Sequence, residues 1–236
     1  MPHDLMSQLD AAARSTGFSG VVRIDHPDGE SESRAYGWAD RARGQAMTVD
    51  HRCGLASISK GFTALAVGAL VDDGLLSLDN PVRPVLGDDL PLVDDAVTVG
   101  QLLSHTAGIG DYIDESAGGD INDYVVDRPL HLLGTTEAFV PVLDGRPQVS
   151  PPGSAFAYCN SGFVVLALVA ERVSSLTFHD LVEQRVLGPA GMVSTGYPRT
   201  DEISGDTALG HLEETGDRTN ALHLPVVGSG DGGAVT

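Results

Sequence analysis

The chain has 236 residues, and its 33 acidic and 14 basic residues give a formal net charge of −19. That charge argues against binding nucleic acid or an anionic membrane surface, so we expect a small-molecule partner. The N-terminal segment has neither the basic nor the apolar region of an export signal, and no apolar run approaches the roughly 18 residues of a membrane span. The sequence therefore predicts a soluble, cytoplasmic protein of one large domain or two lobes.

The first part of the chain predicts a helix, a hairpin and a second helix. Residues 4–15 have an amphipathic pattern, and two strands, 18–25 and 32–38, are joined across a turn-forming cluster at 26–29. From residue 58 to 74 apolar residues recur at steps of three and four, and the stretch ends on a glycine. Because this helix is apolar on all sides, we expect it to be central and buried on most sides.

The rest of the chain predicts mainly helices. Residues 98–101 form a capping-box pattern that opens a short helix. A longer helix is expected from about 160 to 174, and another follows over 177–191. Beyond residue 196 the sequence is rich in glycine and aspartate and has little periodicity.

Lys60 is the only lysine among the 14 basic residues, and Ser57 precedes it by three positions. Arginine keeps its proton at any workable pH, whereas a buried lysine amine can lose its proton and act as a base. At the start of a helix this spacing places both side chains on one face. The pair therefore predicts a serine nucleophile beside its activating amine.

A structural interpretation of the pair stays open at this point. Ser57 would cap the helix, and Lys60 would be a solvated surface residue. Two observations favour the catalytic interpretation. The first turn of a helix disfavours a cation, and the apolar neighbours Phe62 and Leu65 indicate burial of the lysine.

Two further segments contain polar residues whose meaning is open when each is taken alone. Tyr158 and Asn160 follow a Pro-Gly turn, where the tyrosine could share the base role, or Asn160 could cap a helix while Tyr158 packs. His105 lies between a predicted helix end and the turn at Gly108, and it could equally be a core histidine.

The three motifs gain weight from their order, which is SISK at 57–60, SHTAGI at 104–109 and YCN at 158–160. Together they resemble the serine β-lactamase and penicillin-binding-protein superfamily, most closely its class C β-lactamase and family VIII esterase-like branch. Connecting stretches such as YGWAD at 36–40 and LGPAGM at 187–192 also resemble the family. The resemblance extends from residue 18 to the end of the chain.

The resemblance implies an α/β (α+β) fold of the β-lactamase/transpeptidase type. Such a fold has an antiparallel sheet flanked by helices and a mainly helical lobe. We expect one catalytic domain over 1–236. Its approximate lobes are 1–75 with the hairpin and central helix, 76–195 as the helical lobe, and 196–236 returning towards the sheet.

The resemblance also implies roles for the motif residues. Ser57 attacks an acyl carbonyl, Lys60 and Tyr158 share the proton transfers, and Asn160 binds the substrate. His105 and Gly108 are expected to be structural. The substrate would be a small ester, amide or β-lactam, as for carboxylesterases, β-lactamases and D-aminopeptidases.

No cofactor or metal is expected, because the histidines show no HExxH spacing and the two cysteines no CxxC spacing. Cys159 stands where the family usually has serine, and we expect it to pack, although a thiol there could be sensitive to oxidation. A cysteine hydrolase that uses Cys159 and His105 is a further hypothesis.

The family's third motif, Lys-Thr-Gly or His-x-Gly on a strand beside the site, is expected downstream of the Gly-rich segment but is not found in the sequence. The sequence therefore predicts an incomplete domain that lacks the C-terminal strands of its sheet. A second copy of the chain is one way to complete the sheet edge. The alternative is a non-catalytic binding module with the same fold.

Overall fold

The computed structural model describes residues 2–113, 126–202, 204–212, 218–219 and 224–236. By its internal contacts the chain divides into two units. Unit 1 comprises Met1–Gly54, Ile203–Leu222 and Val235–Thr236, and unit 2 comprises Leu55–Glu202 and His223–Ala234. The boundary between the units falls at residues 54 and 55, before the motif at 57–60. The lobe boundary expected from the sequence, at residue 75, stays a prediction.

Unit 1 contains one helix and three antiparallel strand pairs among its described residues. The elements are α1 (Pro2–Thr16), β1 (Gly20–Asp25), β2 (Ser31–Tyr36), β3 (Trp38–Asp40), β4 (Gln45–Ala46), β5 (His211–Leu212) and β6 (Arg218–Thr219). The predicted hairpin is confirmed: β1 pairs with β2 from Gly20 opposite Tyr36 to Asp25 opposite Ser31. Gly29 closes its turn with a φ of +90°, a backbone conformation that glycine adopts without steric cost.

Unit 2 is helical in its regular structure. Its α-helices are α2 (Lys60–Asp72), α3 (Arg83–Leu86), α4 (Val99–Leu103), α5 (Val140–Leu143), α6 (Asn160–Ser174), α7 (Phe178–Val182) and α8 (Gly188–Ala190). Shorter 3-10 turns lie at Ala56–Ser59, Leu130–Leu132 and Glu137–Phe139, and a π-helical turn at Glu183–Leu187 links α7 to α8.

The helix boundaries follow signals that are visible in the sequence. At α4 the Thr98 hydroxyl accepts from the Gln101 amide at 3.3 Å, and the Gln101 side chain accepts from the Thr98 amide at 3.0 Å, so the predicted capping box is confirmed. Helix α6 has the predicted bounds. At α7 the Thr177 hydroxyl accepts from the Asp180 amide at 3.1 Å.

The centre of the core is α6 rather than α2. Helix α2 is buried or half-buried over most of its length, as expected, but it keeps one exposed face. All residues from Asn160 to Ala170 are buried, whereas Leu65 of α2 is 60% exposed. Helix α2 packs against α6, α7 and the π-helical turn that follows α7. An apolar composition on all faces does not reveal which of those faces another element covers.

Among the described residues no single helix is long and apolar enough to span a bilayer, and one bent pair, Asn160–Ser174 with Phe178–Ala190, meets the length and composition criteria only when joined across an 82° bend.

An arginine holds the turn after α3 through every nitrogen of its guanidinium. Arg83 Nε donates to Asp95 at 3.0 Å. Its two terminal nitrogens donate to four backbone carbonyls at 2.6 to 3.0 Å, those of Gly87, Asp89, Leu90 and Val93. A lysine ammonium has three donors from a single atom and cannot reproduce this fork.

We expect Arg83→Lys to lower the free energy of unfolding by about 2 kcal/mol, because several backbone carbonyls lose their donors. Urea denaturation measures this change. The matched control is Arg23→Lys, since the ion pair between Arg23 and Asp25 is exposed, with side-chain accessibilities of 63% and 67%, and exposed pairs contribute little. Equal losses in the two variants would contradict the structural role of Arg83.

Candidate active site

Ser57 and Lys60 lie at the start of α2 with their side chains in contact. Ser57 is exposed in the turn Ala56–Ser59, and Lys60, the first residue of α2, is only 7% exposed. The Lys60 amine lies 3.1 Å from the Ser57 hydroxyl oxygen. Ala56 has a φ of +45°, a left-handed conformation that non-glycine residues rarely adopt and that often occurs at functional sites.

The Lys60 amine has two further oxygen partners. Nζ donates to the side-chain oxygen Oδ1 of Asn160 at 2.8 Å and to the backbone oxygen of Asp231 at 2.8 Å. These partners come from the first residue of α6 and from the glycine-rich segment near residue 230. The lysine is therefore not the solvated surface residue of the structural interpretation.

The chemistry of these oxygens determines what a neutral Lys60 amine can do. The Asp231 carbonyl and the Asn160 Oδ1 accept hydrogen bonds and cannot donate them. A neutral amine has two hydrogens and one lone pair, so the two hydrogens are directed to these two oxygens. The lone pair then faces the Ser57 hydroxyl, which is the geometry of a general base beside its nucleophile.

Tyr158 contacts the same hydroxyl from the other side. Its phenol donates to Ser57 Oγ at 2.7 Å, and its side chain is 40% exposed. The Lys60 amine lies 5.0 Å from the centre of the Tyr158 ring, a distance typical of a cation–π contact. Because the Ser57 oxygen accepts from Tyr158, its own hydrogen is free to point at Lys60.

Asp111 orients Asn160. It caps α6 from a distant segment: its carboxylate accepts from the backbone amides of Asn160 and Ser161, both at 2.8 Å. The Asn160 Nδ2 donates to Asp111 and to the Ile113 carbonyl, both at 3.3 Å, so Oδ1 faces Lys60. The alternative in which Asn160 itself caps the helix is wrong, because Asn160 is the first residue of α6.

His105 lies between the two motif segments. Its carbonyl accepts from the Ala157 amide at 2.8 Å, and its Nδ1 accepts from the Cys159 amide at 3.1 Å. The ring centres of His105 and Tyr158 are 4.6 Å apart. Burial, together with the nearby Lys60 charge, lowers the pKa of His105, so the ring is neutral and holds the backbone beside Tyr158.

Gly108, the other residue that the resemblance marks as structural, has a φ of +68°. A Cβ there would collide with the carbonyl and hydroxyl oxygens of Ser150. The Gly108 carbonyl accepts from the Val149 amide at 2.8 Å. The turn thus holds the segment that leads to Tyr158 close to the SHTAGI motif.

Cys159 packs in the core, as expected. Its thiol is 8% exposed and contacts the Ile109 carbonyl at 3.7 Å. Burial, with a smaller contribution from the Asp111 charge, raises the pKa of Cys159 to about 12. The thiol therefore stays protonated, and the geometry is wrong for a cysteine hydrolase because His105 Nδ1 faces the Cys159 amide rather than the sulfur.

Three residues of the site are absent from the sequence prediction: Asp111, Tyr112 and Asp231. Asp111 and Tyr112 directly follow the SHTAGI motif, which is the one signal that could have drawn attention to them. Asp231 lies in the glycine-rich segment, and its neighbour Gly230 packs so tightly on α6 that a Cβ would collide with the Phe163 carbonyl. The glycines mark a close backbone approach, but they do not identify what is approached.

The sequence of this chain is similar to those of several known proteins. A family model described as Beta-lactamase matches residues 4–236. Penicillin-binding protein 4 of Amycolatopsis lactamdurans is 31% identical over 225 residues, which cover 92% of this chain and 55% of that protein. Esterase EstB of Burkholderia gladioli is 33% identical over 205 residues, covering 80% of this chain and 50% of the esterase.

A solved structure, the penicillin-binding protein from Bacillus halodurans, is 37% identical with a TM-score of 0.87, and the match covers 97% of this chain and 69% of that one. The chain spans about half the length of the two curated relatives. The match in structure confirms the β-lactamase/transpeptidase-like fold, with helices and small antiparallel sheets, that the motifs imply. By the family model and by these relatives, the chain belongs to the β-lactamase family.

Proposed function

We propose that the chain acts as a serine hydrolase through an acyl-enzyme on Ser57. One observation carries the proposal: the Lys60 amine lies between the Ser57 hydroxyl and two oxygens that can only accept hydrogen bonds. This arrangement leaves one direction for the lone pair of the neutral amine. It supports Lys60 as the first base, a role that the sequence leaves open between Lys60 and Tyr158.

The proposed reaction begins when Ser57 Oγ attacks the carbonyl carbon and its proton passes to Lys60. The backbone N–H of Ser57 is one donor to the oxyanion that forms. The bond to the leaving group then breaks, and the leaving group takes a proton from the Tyr158 hydroxyl, which the Lys60 ammonium replaces. A water molecule then gives one proton to the neutral Lys60 amine as its oxygen attacks the acyl-enzyme. The bond to Ser57 Oγ breaks, the acid is released, and Ser57 takes that proton from Lys60.

For the substrate we propose small esters or amides. Two relatives support this class through their names, one an esterase and the other a penicillin-binding protein. The exposed positions of Ser57 and Tyr158 leave the nucleophile open to an incoming acyl group. Asn160 is 4% exposed and has Lys60, Asp111 and Ile113 as partners, so we propose that its main role is to orient Lys60, with substrate contact secondary.

Labelling with a fluorophosphonate probe tests the nucleophile. We expect one covalent adduct on the wild-type chain and none on Ser57→Ala, measured by intact mass and peptide mapping. The matched control is Ser104→Ala, which removes an exposed serine of the SHTAGI motif and is expected to label as the wild type does. Equal labelling of Ser57→Ala and wild type would eliminate Ser57 as nucleophile, and an unlabelled wild type would favour the non-catalytic binding module.

The identity of the base is tested by comparing three variants. Lys60→Arg keeps a cation that cannot lose its proton, and Lys60→Met keeps the length of the side chain without a base. We expect both to slow labelling about 100-fold or more, because general-base assistance is lost. Tyr158→Phe is expected to slow it about tenfold, through loss of one hydrogen bond. The opposite order of severity would assign the first base to Tyr158.

Asp111, which caps α6, gives a further prediction. Asp111→Asn replaces one carboxylate oxygen with an amide that cannot accept from the α6 N-terminus. We expect about tenfold slower labelling and about 1 to 2 kcal/mol lower unfolding free energy. Asp144→Asn is the control, because Asp144 is exposed and its side chain accepts from the amide of its neighbour Gly145 at 2.8 Å, away from any helix N-terminus. A stability loss without slower labelling would show that Asp111 does not orient Asn160.

A further inference from the structure

The side chain of Asp231 is buried beside Lys60, yet the proposed reaction does not use it. Its carboxylate accepts from the Tyr112 hydroxyl at 2.5 Å, and Asp231 as a whole is 8% exposed. Burial raises the pKa of the Asp231 carboxyl, while the Tyr112 hydrogen bond and the Lys60 charge oppose that rise. Burying a carboxyl group destabilises the fold unless the group has hydrogen-bond partners, so the burial of Asp231 against Tyr112 needs a physical reason.

The backbone of the same residue gives that reason. The Asp231 carbonyl is one of the two acceptor-only oxygens that bind the Lys60 amine. One residue earlier, the Gly230 carbonyl accepts from Thr63 of α2 at 2.6 Å. The Tyr112 bond therefore fixes the side chain of a residue whose backbone oxygen must keep its place in the site.

Tyr112 is itself held firmly. Its amide donates to the Ser161 hydroxyl at 2.8 Å, at the N-terminus of α6, and its ring meets the Phe139 ring edge-on with centres 6.4 Å apart. Its chain neighbour Asp111 caps the same helix and orients Asn160. Two adjacent residues thus control the two oxygens around the amine, Asp111 through Asn160 and Tyr112 through Asp231.

We propose that Tyr112 and Asp231 are positioning residues for acyl transfer. Their hydrogen bond holds the Asp231 carbonyl where it takes one hydrogen of the neutral Lys60 amine, so the lone pair points at Ser57. This proposal rests on the proposed function, in which Lys60 is the base. Neither residue touches the reacting atoms, and both act through Lys60.

Tyr112→Phe removes only the hydroxyl. We expect the maximal rate of fluorophosphonate labelling at saturating probe to fall about tenfold, while the probe concentration that gives half the maximal rate stays unchanged. A disturbed fold would change both quantities. The matched control is Tyr36→Phe, because the Tyr36 hydroxyl also donates to an aspartate carboxylate, that of Asp10, at 2.8 Å, and both residues belong to unit 1. A wild-type maximal rate in Tyr112→Phe, or a change confined to half-saturation, would overturn the proposal.

Two substitutions of Asp231 separate positioning from packing. Asp231→Asn keeps an oxygen that can accept from Tyr112, and we expect its labelling rate to stay within about threefold of wild type. Asp231→Leu has a similar size without an acceptor, and we expect about a tenfold loss. Equal losses in the two variants would overturn a positioning role through this hydrogen bond.

A spectroscopic measurement distinguishes failure of this proposal from failure of the proposed function. Lys60 is the only lysine in the chain, so protein grown with side-chain 15N-lysine gives one lysine Nζ signal. We expect Tyr112→Phe to shift this signal and Tyr36→Phe to leave it in place. If the fluorophosphonate probe did not label the wild type, the proposed hydrolase function would be contradicted. If the Nζ signal were identical in wild type and Tyr112→Phe, the proposed positioning role of Tyr112 and Asp231 would be contradicted.

Discussion

The site depends on one constraint, which is that the buried amine of Lys60 must have an oxygen partner for each of its hydrogens. An amine removed from water without such partners would destabilise the fold by several kcal/mol. The partners come from widely separated parts of the chain, at Ser57, Asn160 and Asp231. The start of α2, the start of α6 and the glycine-rich segment must therefore come together before Lys60 can be buried. The same contacts that make the burial tolerable also direct the lone pair at the nucleophile.

Much of this arrangement could be predicted because its signals are local. The capping box at Thr98, the bounds of α6, the hairpin and the spacing of Ser57 and Lys60 each lie within a few residues of sequence. Hydrogen bonds and steric preferences at that range act in the same way in any fold. The error about α2 as the central helix has a different origin. Its burial depends on which elements pack on each face, and an apolar composition is compatible with a face that nothing covers.

The supporting residues could not be predicted, because their contacts are long-range and their types are common. Asp111 and Asp231 are two among 33 acidic residues. One follows the SHTAGI motif and the other lies among glycines, but neither position identifies the group that the aspartate contacts. The Tyr112 bond to Asp231 joins positions 119 residues apart. Only the tertiary structure reveals that two consecutive residues, Asp111 and Tyr112, hold the two residues whose oxygens bind one amine.

A comparison with the chain's arginines explains why Lys60 is a lysine. Where a permanent cation must hold several oxygens, the structure has arginine: Arg83 binds a ring of backbone carbonyls, and Arg172 bridges Asp89 and Glu137 at 2.6 and 2.7 Å. A guanidinium suits those places because its donors are many, planar and always present. Lys60 has three oxygen partners and must lose one hydrogen for the proposed reaction to begin. A guanidinium that keeps its proton would fill every acceptor and leave Ser57 without a base.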